Sequence, residues 1–197
     1  MIIAFTGKKE SGKDTSADYL VKTYGFLKYS FAEPMKKMAM LLFDWTWEQC
    51  NDKILKEVVD PEFGFSPRQF LQWIGTDVFQ YDINKKFPEF SRLIGRKFWV
   101  NKFVHFYNRQ KKSYSLTDFV ISDLRFPHEI ETLRTLETEV YAIRINRPVD
   151  YCEDVHESEQ AMNQIKVNIE LDNSGDFNHL YRLIRNMSMT KTLPVGF

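Results

Sequence analysis

The chain begins with a short apolar run, Ile2 to Thr6, that ends on a glycine and leads into "GKKESGKDT", Gly7 to Thr15. The run is too short for a helix and suits a strand buried on both faces of a parallel sheet. From Lys13 the period changes. Ala17, Leu20, Val21 and Tyr24 fall at i, i+3, i+4 and i+7, one face of a helix, and Gly25 stops it. Strand, Gly-x-x-x-x-Gly-Lys, helix is the phosphate-cradling arrangement. Backbone N–H groups and a helix N-terminus point at an anion, Gly7 and Gly12 permit the tight path, and Lys13 reaches the outer phosphates. One position departs from the pattern. The residue after the Lys is usually Ser or Thr, whose hydroxyl ligates Mg²⁺; here Asp14 stands there and Thr15 follows one place late.

The rest of the chain alternates strands and helices. "KYSFA" reads as a second strand, and Pro34 opens a helix to about Phe43. Residues 44–65 lack clean periodicity and read as an insertion with some helix. In "SPRQFLQWIG", Ser66, Pro67 and Gln69 form a helix-start signature, and Gly75 marks a bend or an end. "YDINKKFPEFSRLIGR" reads as a loop, followed by a helix from Lys97 to about Asn108. "DFVISD" is a second buried-strand signal, Pro127 opens a helix, and "EVYAIRINRP" is a strand. "VDYCEDVHESEQ" reads as a mobile loop or short helical lid. "VNIEL" is the last strand and Asp176 to Met187 the closing helix, with a loosely held tail. This order predicts an α/β fold, a parallel sheet flanked by helices, with ligands at the carboxyl ends of the strands.

Several charged residues then become candidates. Asp123 ends the third strand; it can hold Mg²⁺ directly or through water, or orient a substrate sugar. Arg125, two residues on, can fork onto a phosphate, or the two can form a structural ion pair. Arg68 in the first turn of its helix opposes the helix dipole, a conflict that an anionic ligand would remove. Lys36 reads first as a solvated lysine and Trp99 first as core. His156 and Glu157 either contact nucleotide or belong to a solvated loop. No His/Cys cluster has zinc spacing, and no Gly-x-Ser-x-Gly is present.

Composition narrows the class. Lys+Arg and Asp+Glu balance at 27 each, which argues against a protein that coats nucleic acid. Cys50 and Cys152 are far apart, so a reduced, cytoplasmic protein is expected. Apolar runs are too short to span a bilayer, and the N-terminus reads as a strand rather than a signal sequence.

Taken in order, "GKKESGKDTSADYL", "FAEPMKK", "SPRQFLQWIGTDVF", "FWVNKF", "VISDLRFPHEIETL", "RINRP", "HESE" and "LDNSGDFNHL" resemble the deoxynucleoside monophosphate kinases of phages and large DNA viruses. Animal-type phosphomevalonate kinases look like relatives, sharing the Ser-Gly-Lys-Asp start and the Ser-Asp-x-Arg block. The resemblance implies a P-loop, nucleoside monophosphate kinase-like fold with a five-stranded parallel sheet. It implies a single kinase domain with an acceptor-binding insertion at about 33–112 and a lid at about 147–163. The implied reaction moves the γ-phosphoryl of ATP, with Mg²⁺, to a deoxynucleoside monophosphate. By motif match, Gly7, Ser11, Gly12, Lys13, Asp14, Thr15, Arg147, Asn173 and Gly175 would serve ATP. Asp14, Lys36, Arg68, Trp99, Asp123, Arg125 and Glu129 would serve the acceptor, and Asp14, Thr15 and Asp123 would serve the metal. Lys13, Asp14, Arg68, Asp123 and Arg125 are the expected catalytic set. Members are often dimers, so a homodimer is implied, with no nucleic-acid polymer and no membrane as partner. The other readings open at this point are a phosphomevalonate kinase-like or other small-molecule kinase, and a non-catalytic nucleotide-binding protein.

Overall fold

The computed structural model describes residues 1–113, 117–148 and 156–189. The chain divides into two compact units, one of Met1–Ser30 with Val104–Phe197 and one of Phe31–Phe103.

The first unit is built on five strands: β1 Ile2–Thr6, β2 Leu27–Tyr29, β3 Phe119–Ile121, β4 Val140–Asn146 and β5 Ile169–Asp172. They pair in the order β2-β3-β1-β4-β5, every pair parallel. β1 lies in the centre, flanked by β3 and β4, and all five of its residues are buried. Side chains alternate across the sheet. Ile3, Phe5, Val120, Ile143 and Ile145 join one core with Ala17 and Leu20 of α1 (Lys13–Tyr24) and Leu180 and Ile184 of α10 (Phe177–Met189). Phe119 instead meets Phe106 and Tyr107, with ring centroids 6.2 and 5.2 Å away. Gly25 ends α1 at φ 72°, and its N–H bonds back to Val21.

The second unit is helical. It holds α2 (Glu33–Phe43), α3 (Trp47–Asn51), α4 (Pro67–Gln72), α5 (Ile83–Lys86) and α6 (Pro88–Leu93). The α7 helix, Phe98–Ser113, begins in it and runs into the first unit's sequence. The capping box read from Ser66 and Gln69 is present: Ser66 N donates to Gln69 Oε1 at 2.8 Å and Gln69 N to Ser66 Oγ at 3.3 Å. Phe43 anchors an aromatic cluster, 4.6 Å from Trp45, 4.8 Å from Phe70 and 4.9 Å from Phe63. That cluster is what orders the stretch around residues 44–65, where the sequence shows no period.

Two expectations are corrected here. Gly75 does not end its helix: the run from α4 continues to α5 through Trp73–Asp82, wound in the wider π form. Residues 81–96, read as a loop, are mostly helical, in α5, α6 and a 3₁₀ turn at Gly95–Lys97. Both have a tertiary cause. Phe79 stacks on Phe98 at 4.4 Å, Phe90 lies 6.0 Å from Phe98, and the Trp99 indole N–H donates to the Gly75 carbonyl at 2.9 Å. Smaller shifts move β2 to Leu27–Tyr29 and extend α7 to Ser113. Among the described residues no helix is long and apolar enough to cross a membrane.

Trp99→Phe keeps an aromatic ring but removes the donor to Gly75 and part of the buried indole. A buried hydrogen bond of this kind contributes about 1 kcal/mol, with a further cost for the stranded acceptor. Urea unfolding is expected to show a loss of about 1–2 kcal/mol, with the aromatic contacts retained.

Candidate active site

All five strands of the first unit are parallel, so their carboxyl ends share one edge. Leaving that edge are Gly7 after β1, Ser30 after β2, Asp123 after β3, Arg147 after β4 and Asn173 after β5. Residues spread over the whole sequence are thereby gathered at one place.

The loop after β1 follows a path that ordinary residues resist. Gly7 has φ 140° and Gly12 φ 104°, and Glu10 also turns positive at 61°. A Cβ on Gly7 would lie 2.4 Å from the Ile145 carbonyl oxygen, so a side chain there is excluded by backbone. Lys13 opens α1, and its ammonium donates to the carbonyls of Gly7 at 2.7 Å and Lys8 at 2.6 Å. Burial, then the Arg125 guanidinium, pushes the Lys13 pKa down to about 8, against the pull of the Glu159, Asp14 and Asp123 carboxylates. An anion arriving at this lysine relieves that penalty. The buried hydroxyls Thr6 Oγ1 and Ser11 Oγ have no hydrogen-bond partner among the described residues. Buried polar groups are normally paired, so two orphans at the root of one loop fit a polar ligand.

Asp14 is exposed in the first turn of α1, with Lys28 at 3.1 Å. Partial desolvation by the neighbouring side chains acts to raise its pKa, but the Lys28 charge and hydrogen bond, with the Ser122 hydroxyl, outweigh that and hold it below the usual carboxylate value. Thr15 follows on the same helix, half-buried. Asp123 accepts a hydrogen bond from Ser30 Oγ at 2.7 Å. Mg²⁺ is commonly held by one or two carboxylates with waters and substrate phosphates. Asp14 and Asp123 offer that donor set, and Lys13 feels both charges. Among the described residues no group of three or more His, Cys, Asp or Glu could hold a metal by itself.

Arg125 has two neighbours, one hydroxyl and one carboxylate, that the sequence did not announce. Its guanidinium bonds Ser158 Oγ at 3.1 Å and the Glu159 carboxylate, both from α9 (Glu157–Ala161). Burial would lower the Arg125 pKa, but Glu159 overrides it and keeps the group charged. Glu129, expected to meet substrate, is only 4% exposed, and its Oε2 accepts the backbone N–H groups of Arg125 at 2.8 Å and Phe126 at 3.0 Å. It shapes the turn that carries Arg125. Asn173 is also buried, and its amide donates to the Ser11 carbonyl at 2.9 Å. Gly175 lies against His179, where a Cβ would come within 2.7 Å of the histidine Cβ. Arg147 is exposed just past β4. His156 caps α9, its ring accepting from Ser158 N. Most of the polar stretch before it, residues 149–155, lies outside the described residues, as does Cys152.

Three expected residues belong to the second unit. Arg68, in the first turn of α4, pairs with Glu57 at 3.3 Å and is 19% exposed. Lys36 donates to Asn51 Oδ1 at 2.6 Å and sits over the Trp47 ring. Trp99 is 6% exposed and wedged between Phe79 and Phe98, each 4.8 Å away, so it is packed as core and presents no open stacking face. Ser30, Ser158 and Glu159 are the contributors that sequence reasoning missed. "HESE" was legible as polar, but nothing local ties it to "DLR", 33 and 34 residues upstream.

The Glu129 carboxyl has its pKa raised from 4.5 to about 8, first by burial and then by the Asp123 charge, against the two N–H groups and Arg125. A folded-state pKa above the unfolded value contributes stability at low pH that is lost as pH rises through the folded pKa. The window here runs from about pH 4.5 to about 8. Glu129→Gln keeps an oxygen for both N–H groups and cannot ionise. Its melting temperature is expected to fall less than that of the wild type between pH 5 and pH 8, as read by circular dichroism.

The family model for deoxynucleotide monophosphate kinase matches residues 1–57 and 43–184. A protein of Acanthamoeba polyphaga mimivirus, described as "Putative deoxynucleotide monophosphate kinase", is 32% identical over 191 residues, covering 93% of this chain and 94% of its own. Among solved structures, the chain is similar to a sugar kinase from Janibacter sp. (TM-score 0.49, 11% identity, 98% of this chain and 95% of that one). It is also similar to shikimate kinase from Aquifex aeolicus (TM-score 0.44, 13% identity, 98% and 99%). The assignment rests on the family model and the viral relative, which agree with each other over nearly the whole chain. The chain belongs to the deoxynucleotide monophosphate kinase family.

Proposed function

We propose that the protein transfers the γ-phosphoryl of ATP to the phosphate of a deoxynucleoside monophosphate, giving ADP and a deoxynucleoside diphosphate. The observation that carries this reading is the grouping of Lys13, Asp123 and Arg125 within electrostatic reach at the carboxyl edge of the sheet. Family membership supports a deoxynucleoside monophosphate as the acceptor.

In this reaction an acceptor phosphate oxygen attacks the γ-phosphorus, and the bond to the β–γ bridging oxygen breaks. The acceptor is already ionised, so no strong base is required, and catalysis is positioning and neutralisation of charge. Gly7, Ser11, Gly12 and Thr15 belong to the loop and helix start that cradle the donor phosphates. Lys13 exchanges its two loop carbonyls for phosphate oxygens. Arg125, preset by Glu129 and Glu159, neutralises charge on the transferring group and the acceptor, and Asp123 orients the acceptor. Arg68 is read as a ligand of the acceptor phosphate and Lys36 as a further acceptor-side cation. The insertion at about 33–112 serves the acceptor. Arg147 belongs to a lid at about 147–163 that excludes water during transfer. Asp14, Thr15 and Asp123 would hold Mg²⁺, in part through water; when bound, it shields the β- and γ-phosphate oxygens from one another.

The test is a coupled ADP assay with ATP and Mg²⁺ over dGMP, dTMP, dCMP, dAMP and their ribose counterparts, with phosphomevalonate alongside. Turnover is expected with at least one deoxynucleotide and not with phosphomevalonate. Lys13→Ala is expected to lower kcat by at least about 10²-fold, the scale of one lost charge stabiliser. No turnover on the whole panel rejects the acceptor class. Full activity in Lys13→Ala rejects the role of the loop.

A further inference from the structure

Asn173 comes from the far end of the chain, yet its side chain reaches the phosphate loop. Its Nδ2 donates to the Ser11 carbonyl at 2.9 Å, a buried bond across 162 residues of sequence. Asn173 is 3% exposed, and its own N–H donates to the Asn146 carbonyl at 2.7 Å, which moors it to the end of β4. The approach is close. A Cβ on Gly12 would come within 2.7 Å of the Asn173 amide nitrogen and 3.1 Å of Leu180 Cδ2. Gly12, at φ 104°, is therefore needed for its conformation and also for the room it leaves this side chain.

The consequence lies in the peptide plane between Ser11 and Gly12. A trans peptide is planar, with its C=O and N–H pointing in opposite directions. Holding the Ser11 carbonyl inward against Asn173 turns the Gly12 N–H the other way. That N–H has no hydrogen-bond acceptor among the described residues, and it directly precedes the free N–H groups that open α1. We infer that Asn173 is a positioning residue: it sets the Ser11–Gly12 peptide so that the Gly12 N–H faces the donor phosphates. The resemblance has Asn173 serve ATP, and a direct contact with the nucleotide base is the alternative to weigh. The geometry gives its side chain a different task, that of a strut behind the phosphate loop. This inference rests on the reading of Gly7–Lys13 as that loop.

The two roles separate by ligand. A strut acts on any polyphosphate, with or without a base, whereas a base contact acts only on nucleotides. Binding of ATP and of inorganic tripolyphosphate, each with Mg²⁺, is measured by calorimetry on the full chain and on Asn173→Ala. Loss of one buried hydrogen bond of about 1–2 kcal/mol corresponds to roughly 5- to 30-fold in affinity. The expected result is a loss of that size for both ligands, in equal proportion, with KM for ATP raised by the same factor. Loss confined to ATP, or no loss, overturns the proposal. Wild-type protein supplies a second measurement that does not depend on the variant folding. In ¹⁵N-labelled chain, the Gly12 amide resonance is expected to move strongly on adding tripolyphosphate, and an unmoved Gly12 amide overturns the proposal. If wild-type protein binds neither ligand, the phosphate-loop reading itself fails, and the inference with it.

Discussion

The active edge of the first unit depends on one constraint, the burial of β1 in the middle of an all-parallel sheet. β1 pairs with β3 on one side and β4 on the other, and none of its residues reaches solvent. A strand so placed has a fixed register, because a slip of one residue would exchange the side chains of its two faces. Its end is therefore fixed as well, and with it the point where Gly7 must turn. The same parallel geometry sends β3, β4 and β5 out on that edge, which brings Asp123 within electrostatic reach of Lys13 and Asn173 against the Gly7–Lys13 loop. Position at the site is a product of core packing.

Two cations, Lys13 and Arg125, are held in place at this edge. Burial depresses the Lys13 pKa, and the nearby Arg125 guanidinium depresses it further. Neither cation is left to float. Lys13 is held by two carbonyls, and Arg125 by Ser158, by Glu159 and, through its backbone, by Glu129. Preorganised cations of this kind cost little reorganisation when charge arrives, which is the main source of rate in phosphoryl transfer. The carboxylates have separate duties. Glu129 shapes a turn, Glu159 holds a guanidinium, Asp123 accepts from Ser30, and Asp14 pairs with Lys28. The departure at Asp14 is thus compatible with a working loop. Under the proposed function, a carboxylate there would supply a hard oxygen ligand in place of the usual hydroxyl, and Lys28 keeps it ionised.

Reading the sequence recovered what is governed by local period and by punctuation. β1, α1, β3, α8 (Pro127–Leu133) and α10 stand close to where their apolar spacing put them, because each buries one continuous face or run. The caps at Ser66 and Gly25 are as their residue types require. The loop read at 81–96 failed because its helices are short and lack an apolar face of their own. They are held by Phe79, Phe90, Phe98 and Trp99, residues whose meeting no local pattern encodes. Trp99 shows the same limit. A tryptophan beside charged residues suits a platform or a core equally in sequence, and its indole bond to the Gly75 carbonyl decided for the core.

The sequence by itself determined the phosphate loop, the alternation that makes a parallel sheet, and the residue types gathered at its edge. Glycines, a lysine after the second of them and an apolar strand before the first carry local physical requirements that few other arrangements meet. Tertiary structure alone decided which side chains act in pairs. Arg125 with Glu159, Asp123 with Ser30, and Asn173 with Ser11 are each joined across tens to more than a hundred residues. A hydrogen bond needs atoms within about 3 Å, and no spacing along the chain carries that information. It arises only when the sheet closes and brings five strand ends together.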